Sequence, residues 1–154
     1  MADIKDQLRA DLTDAIRSQD EITIATIRLA LAAIQKAEVA GDTPVVLTDP
    51  QIVELLRGEA KRRAEAAELY EQGQRTELAE RERAQAKVLD RYLPTEMDDA
   101  ALAAIVAEEV EAARADGATG GKAMGQVIKA VRARAGAEAS GGRVAAAVKA
   151  ALDG

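Results

Sequence analysis

Apolar side chains recur at three- and four-residue intervals along nearly the whole sequence, and this spacing restricts the chain to helices that each bury one face. Ile4, Leu8, Leu12 and Ile16 mark a first helix. A second runs from about Asp20 to Ala40 on Ile24, Ile27, Leu31 and Ile34, and stops near Gly41 and Asp42 with Pro44 just beyond. These two should form a hairpin. Thr48-Asp49-Pro50-Gln51 reads as the start of a third helix, because Thr or Asp accepts from free amides, Pro fits the first turn, and Gln returns the bond. That helix extends to about Gln72. Gly73 stands where a left-handed residue would end it, and a fourth helix follows from about Thr76 to Tyr92.

Pro94 blocks further helix and pushes Leu93 away from helical angles, while Asp98 can cap what comes next. The expected boundary therefore lies around residues 93–98, with an N-terminal domain of about four helices over 1–94 and a small C-terminal one over 98–154. Three short helices are expected in the second. They carry Leu102, Ile105, Val106 and Val110, then Met124, Val127, Ile128 and Val131 after a turn at Asp116-Gly117, then Val144, Val148 and Leu152. Val45-Val46-Leu47 alone has strand character and is too short for a sheet, so the fold class is all-α. Of the glycines, Gly58 and Gly125 fall inside helices; Gly58 should mark a close helix contact, since an exposed glycine there would cost about 1 kcal/mol relative to Ala.

Alanine supplies 36 of the apolar residues, so the core must come from closely approaching helices. Trp and Phe are absent and there are two Tyr, which nearly excludes aromatic stacking on single-stranded bases. Without His or Cys there is no zinc finger, iron-sulfur cluster, disulfide, imidazole base or thiol nucleophile. The serines, Ser18 and Ser140, fall in different halves, which leaves no paired-serine amidase site. Gly121-Lys122 invites comparison with a phosphate-binding loop, but Asp116 stands where its first glycine belongs and Ala123 where its hydroxyl belongs. No catalytic residue, metal or cofactor is expected. No apolar run approaches membrane-spanning length, and the charged start Met1-Ala2-Asp3-Ile4-Lys5 lacks a signal-peptide core, so a cytoplasmic protein without a membrane partner is expected.

The formal charge of -6 is unevenly spread. Residues 1–118 hold 15 basic side chains against 25 acids, whereas residues 119–152 hold six against Glu138 alone. On a helix from Lys122 to Arg132, the apolar residues span about 100° of the circumference, leaving Lys122 and Lys129 opposite them and Arg132 at the flank. With Arg134, Arg143 and Lys149 they form an acid-poor basic region suited to phosphates. Lys61-Arg62-Arg63 is a weaker candidate, because Glu59 and Glu65 lie at ion-pairing spacing.

Taken in order, several segments resemble the GatB/YqeY family of small helical proteins. The segment Ala25-Thr26-Ile27-Arg28-Leu29-Ala30-Leu31-Ala32-Ala33-Ile34 and the triplet Lys61-Arg62-Arg63 resemble its second and third helices. Leu69-Tyr70 with Gly73, Arg75, Leu78 and Glu82, then Tyr92-Leu93-Pro94, resembles its signature stretch, and Gly121-Lys122-Ala123-Met124-Gly125 its C-terminal element. The resemblance implies a C-terminal domain like the tail of the tRNA-dependent amidotransferase B subunit, a tail that helps hold tRNA. It implies a non-catalytic tRNA-binding accessory working in or near aminoacylation or transamidation, with tRNA and an aminoacyl-tRNA synthetase or amidotransferase as partners. The other readings are a component of an amidotransferase, a carbon-nitrogen ligase using glutamine as amido donor, and a helical adaptor. Gly142-Arg143-Val144 matches a later Gly-Lys-x-Val element with Arg for Lys, while Ala135-Gly136-Ala137-Glu138-Ala139-Ser140 departs from the family's approach to it.

Overall fold

A computed structural model describes residues 3–153; Met1, Ala2 and Gly154, which the domain ranges above include, lie outside the described residues. Among the described residues there are seven α-helices, one turn of 3-10 helix and no strand. Contacts divide the chain into two compact units, one ending at Leu93 and one beginning at Pro94.

In the first unit, α1 (Ile4–Ser18) and α2 (Glu21–Glu38) form a hairpin. Gln19 turns left-handed at φ 58°, and the Asp20 carboxylate accepts from the Thr23 amide at 3.1 Å and hydroxyl at 2.7 Å, so two residues suffice to reverse the chain. α3 (Asp49–Gln72) and α4 (Thr76–Asp90) form a second, longer hairpin. At its start Thr48 and Gln51 make the reciprocal cap, the Gln51 amide donating to Thr48 Oγ1 at 3.4 Å and the Thr48 amide to Gln51 Oε1 at 2.9 Å. Leu8, Ile27, Ile34, Ile52, Leu56, Val88 and Leu89 form the core; fully burying one Leu or Ile contributes about 1.5–3 kcal/mol. Further along the second hairpin the buried contacts shrink to Ala67 and Ala79, whose small side chains let the helices approach. Arg63–Glu82 and Arg83–Glu71 ion pairs cross the same seam.

Between the hairpins, Glu38 ties three segments together. Lys5 Nζ donates to both its oxygens at 2.6 and 2.8 Å, and the Leu47 amide donates to Oε2 at 3.0 Å. Val45 and Val46 lie in neither helix nor strand, and Val46 is 82% exposed.

Three local expectations are corrected. Gly73 has φ -83°, and its amide still donates to the Leu69 carbonyl at 3.1 Å, so Gln74 at φ 58° makes the left-handed turn. A β-carbon on Gly58 would meet nothing within 4 Å, so this glycine is no close-packing point. Lys61 forms no ion pair with Glu65; Glu59 serves Arg62 at 2.5 Å and Arg63 at 4.0 Å instead.

The second unit contains α5 (Asp99–Ala115), α6 (Gly120–Ala135), the 3-10 turn (Gly136–Glu138) and α7 (Gly141–Asp153). Val106, Val127, Val131, Val144 and Val148 are fully buried at its centre. Asp98 caps α5 through the Ala101 amide at 2.7 Å. The segment before it is held too: Met97 packs on this core, its amide donates to the Glu138 carbonyl at 2.7 Å, and Glu96 lies 3.8 Å from Arg143. Residues 96 and 97 therefore belong to the second unit's packing, which sequence could not reveal because both partners lie some forty positions downstream.

Candidate nucleic-acid interface

Helix α6 presents the basic face. Gly117 at φ 76° and Gly120 at φ 62° make the turn into it, and Ala123, Val127, Val131 and Ala135 bury the inward stripe at strict four-residue spacing. That choice of stripe forces Lys122 and Lys129, seven residues apart, onto one outward side, where both are exposed. Gln126 lies on the same side and donates to Asp116 Oδ2 at 3.2 Å, bringing an acid to its edge. A cleft of about 390 Å³ opens beside the first turn of α6, bordered by Gly120, Gly121, Met124, Leu152 and Asp153.

Arg132, one turn further, lies against the first residue of α7: its guanidinium carbon is 3.7 Å from where a β-carbon on Gly141 would sit. Lys149 is exposed on α7, whose Val144 and Val148 face the core. Lys122, Lys129, Arg132 and Lys149 make no ion pair among the described residues.

Arg134 and Arg143 are placed differently. Arg134 Nη1 meets Glu108 at 2.7 Å and Glu109 at 3.1 Å, and these bonds raise the guanidinium pKa further above its ordinary value. Arg143 Nη2 meets Asp99 at 2.9 Å, with Glu96 at 3.8 Å from Nη1. The acid-poor region of the sequence is thus not acid-poor in space, because packing lays α5 beside it. From Pro94 onward the unit holds seven basic residues against nine acids. Glu108 and Glu109 were visible as an acidic pair in α5, but only tertiary packing pairs them with Arg134. Ser140 caps α7 by accepting from the Arg143 amide at 3.3 Å.

The motif residues of the first unit are scattered over its helices. Arg28 on α2 and Lys61 on α3 are exposed without ion pairs, whereas Arg62 and Arg63 are paired. Tyr70 is half-buried and its carbonyl accepts from the Arg75 amide at 2.8 Å, closing the turn that contains Gly73. Tyr92 is buried, with Leu93 and Pro94 half-buried after it. In the second unit Met124 packs on the core, and Gly125 is exposed with open space where a β-carbon would lie. Among the described residues, no group of three or more acids is arranged to hold a metal ion, and no helix is long and apolar enough to cross a membrane.

The sequence matches the family model described as Yqey-like protein over residues 5–152, and the chain belongs to that family. It is 28% identical over 132 residues to "Altered inheritance of mitochondria protein 41, mitochondrial" of Pyrenophora tritici-repentis, covering 84% of this chain and 71% of that protein. It is 29% identical over 87 residues to an uncharacterized protein of Schizosaccharomyces pombe, covering 56% of this chain and 69% of that protein.

Proposed function

We propose that this member of the YqeY-like family is a non-catalytic, tRNA-binding accessory that acts in the cytoplasm, in or near tRNA aminoacylation or transamidation. The observation that carries the reading is the pair Lys122 and Lys129, exposed on one side of α6 without acid partners, with Arg132 a turn beyond. Such a row suits successive phosphates, whose charge supplies most of the affinity of a protein for a nucleic-acid backbone. The resemblance of Gly121-Lys122-Ala123-Met124-Gly125 to the amidotransferase tail adds the choice of tRNA, and an aminoacyl-tRNA synthetase or amidotransferase as the enzyme it would assist. With two tyrosines, both in the first unit, recognition follows the shape of folded RNA more than its bases.

Replacing Lys129 and Arg132 together with Glu should weaken tRNA binding at low salt by more than tenfold, on the order expected for losing two phosphate contacts and adding repulsion. The helical signal should stay unchanged. Replacing Arg62 and Arg63, which already share Glu59, should matter less. If the Lys129 and Arg132 double variant binds as the parent does, the basic side is a solubilising surface and a helical adaptor is the better reading.

A further inference from the structure

The two occupied arginines carry an inference about how the proposed RNA site is regulated, and it rests on that reading. Glu108 and Glu109 give Arg134 two carboxylates, and Asp99 and Glu96 do the same for Arg143. A carboxylate offers a guanidinium what a phosphodiester offers, two anionic oxygens for its planar fork. Asp99 is 99% exposed at its side chain and Glu108 64%, and ion pairs that open to solvent contribute little to stability. Their effect falls instead on whatever anion approaches α6 and α7.

We infer that these acids are built-in competitors of RNA phosphate: they occupy Arg134 and Arg143 and keep both out of the RNA contact. A lone phosphate gains one contact and must break a two-acid clamp to obtain it. The affinity of the site is thereby held below what six free cations would give, which favours release.

The variant E108Q/E109Q removes the clamp on Arg134 while keeping side-chain size. E65Q/E68Q, on α3 of the other unit, makes the same change in net charge at exposed glutamates without ion pairs, and serves as its control. Unfractionated tRNA should bind E108Q/E109Q about three- to tenfold more tightly than the parent, with a salt slope steeper by roughly 0.7–0.9, the value of one phosphate contact. Adding R134A should remove the gain. An equal gain in E65Q/E68Q, or no gain in E108Q/E109Q, overturns the inference. If the parent binds no tRNA, the tRNA reading falls, and heparin decides the inference alone. E108Q/E109Q must then elute from a heparin column at higher salt than E65Q/E68Q, and co-elution sinks it.

Discussion

The Tyr92 hydroxyl donates a hydrogen bond to the Asp11 carboxylate, joining the chain just after α4 to the middle of α1 across 81 positions of sequence. Tyr92 is 8% exposed, so its ring fills the core of the first unit while its oxygen reaches the rim. The bond ties the end of the first unit to α1, one residue before its last residue, Leu93.

Tyr92→Phe should therefore destabilise the protein by about 1.5–3 kcal/mol, the range for a hydrogen bond to a charged group. The pH dependence has a definite sign. Burial first, and then the Asp11 carboxylate, push the Tyr92 hydroxyl above the ordinary phenol range. A raised value in the folded state means that the contribution is complete below the unfolded value of about 10 and is lost as pH rises beyond it. Thermal melts from pH 8 to 11 should show the parent losing stability faster than Tyr92→Phe above pH 10.

Glu38 gives the opposite window. Its hydrogen bonds to Lys5, first, and to the Leu47 amide hold its carboxyl below the usual value. A lowered folded value contributes stability above the unfolded value of about 4.3, and that contribution disappears as pH falls through the folded one. Glu38→Gln should lower the melting temperature at pH 7, and the gap from the parent should narrow as pH falls below the unfolded value of about 4.3. A gap of constant size down to pH 3 would argue against the clamp.

Gly58→Ala and Gly125→Ala should both stabilise. Each glycine lies within a helix, has ordinary helical φ, and leaves open space at the β-carbon position, so Ala removes an entropic cost of up to about 1 kcal/mol without a clash. Denaturant unfolding measures the gain. Gly125 lies between Lys122 and Lys129, so its substitution also reports on RNA: a stable variant with weakened tRNA binding would mean that the backbone there is approached closely.

Glu96 and Met97 set where the second unit can be cut. A fragment of residues 94–154 should melt cooperatively on its own, and one of residues 98–154 should melt at a lower temperature, because it loses the Met97 amide bond to Glu138, the Met97 contact and the Glu96–Arg143 pair. Circular dichroism melts of the two fragments test this. A non-cooperative melt of the longer one would mean that the two units fold only together.

What sequence revealed, and what it hid, follows the range of the interactions involved. The reciprocal cap of Thr48 and Gln51 and the Asp98 cap were legible because their partners lie three residues apart, where pattern and chemistry coincide. The outward placement of Lys122 and Lys129 and half of the buried stripe of α6, Val127 and Val131, were legible from period alone; Met124 and Ile128, expected in that stripe, are half-buried, and Ala123 and Ala135 complete it instead. Gly73 misled because a glycine at a helix end is permitted, not compelled, to turn left-handed, and Gln74 does so next to it. Arg134 and Arg143 were misjudged because the acids that hold them come from 25 or more positions away. A charge tally along the chain cannot detect an acid that tertiary packing brings alongside.

That last difference changes the expected electrostatics of RNA binding. Six phosphate contacts would give a slope of log affinity against log salt of roughly -4 to -5.5, whereas the four cations without acid partners, Lys122, Lys129, Arg132 and Lys149, give about -2.8 to -3.6 if each meets one phosphate. The parent protein should fall in the shallower range. Lys129→Ala or Arg132→Ala should flatten the slope by about 0.7–0.9 each, and Arg143→Ala by much less, since removing a paired arginine also frees two acids. Nitrocellulose filter binding of unfractionated tRNA between 25 and 200 mM salt, chosen to span roughly a decade of screening, measures all four proteins. A slope steeper than about -4 for the parent would show that Arg134 and Arg143 exchange their carboxylates for phosphate readily, and that the acids of α5 offer little resistance.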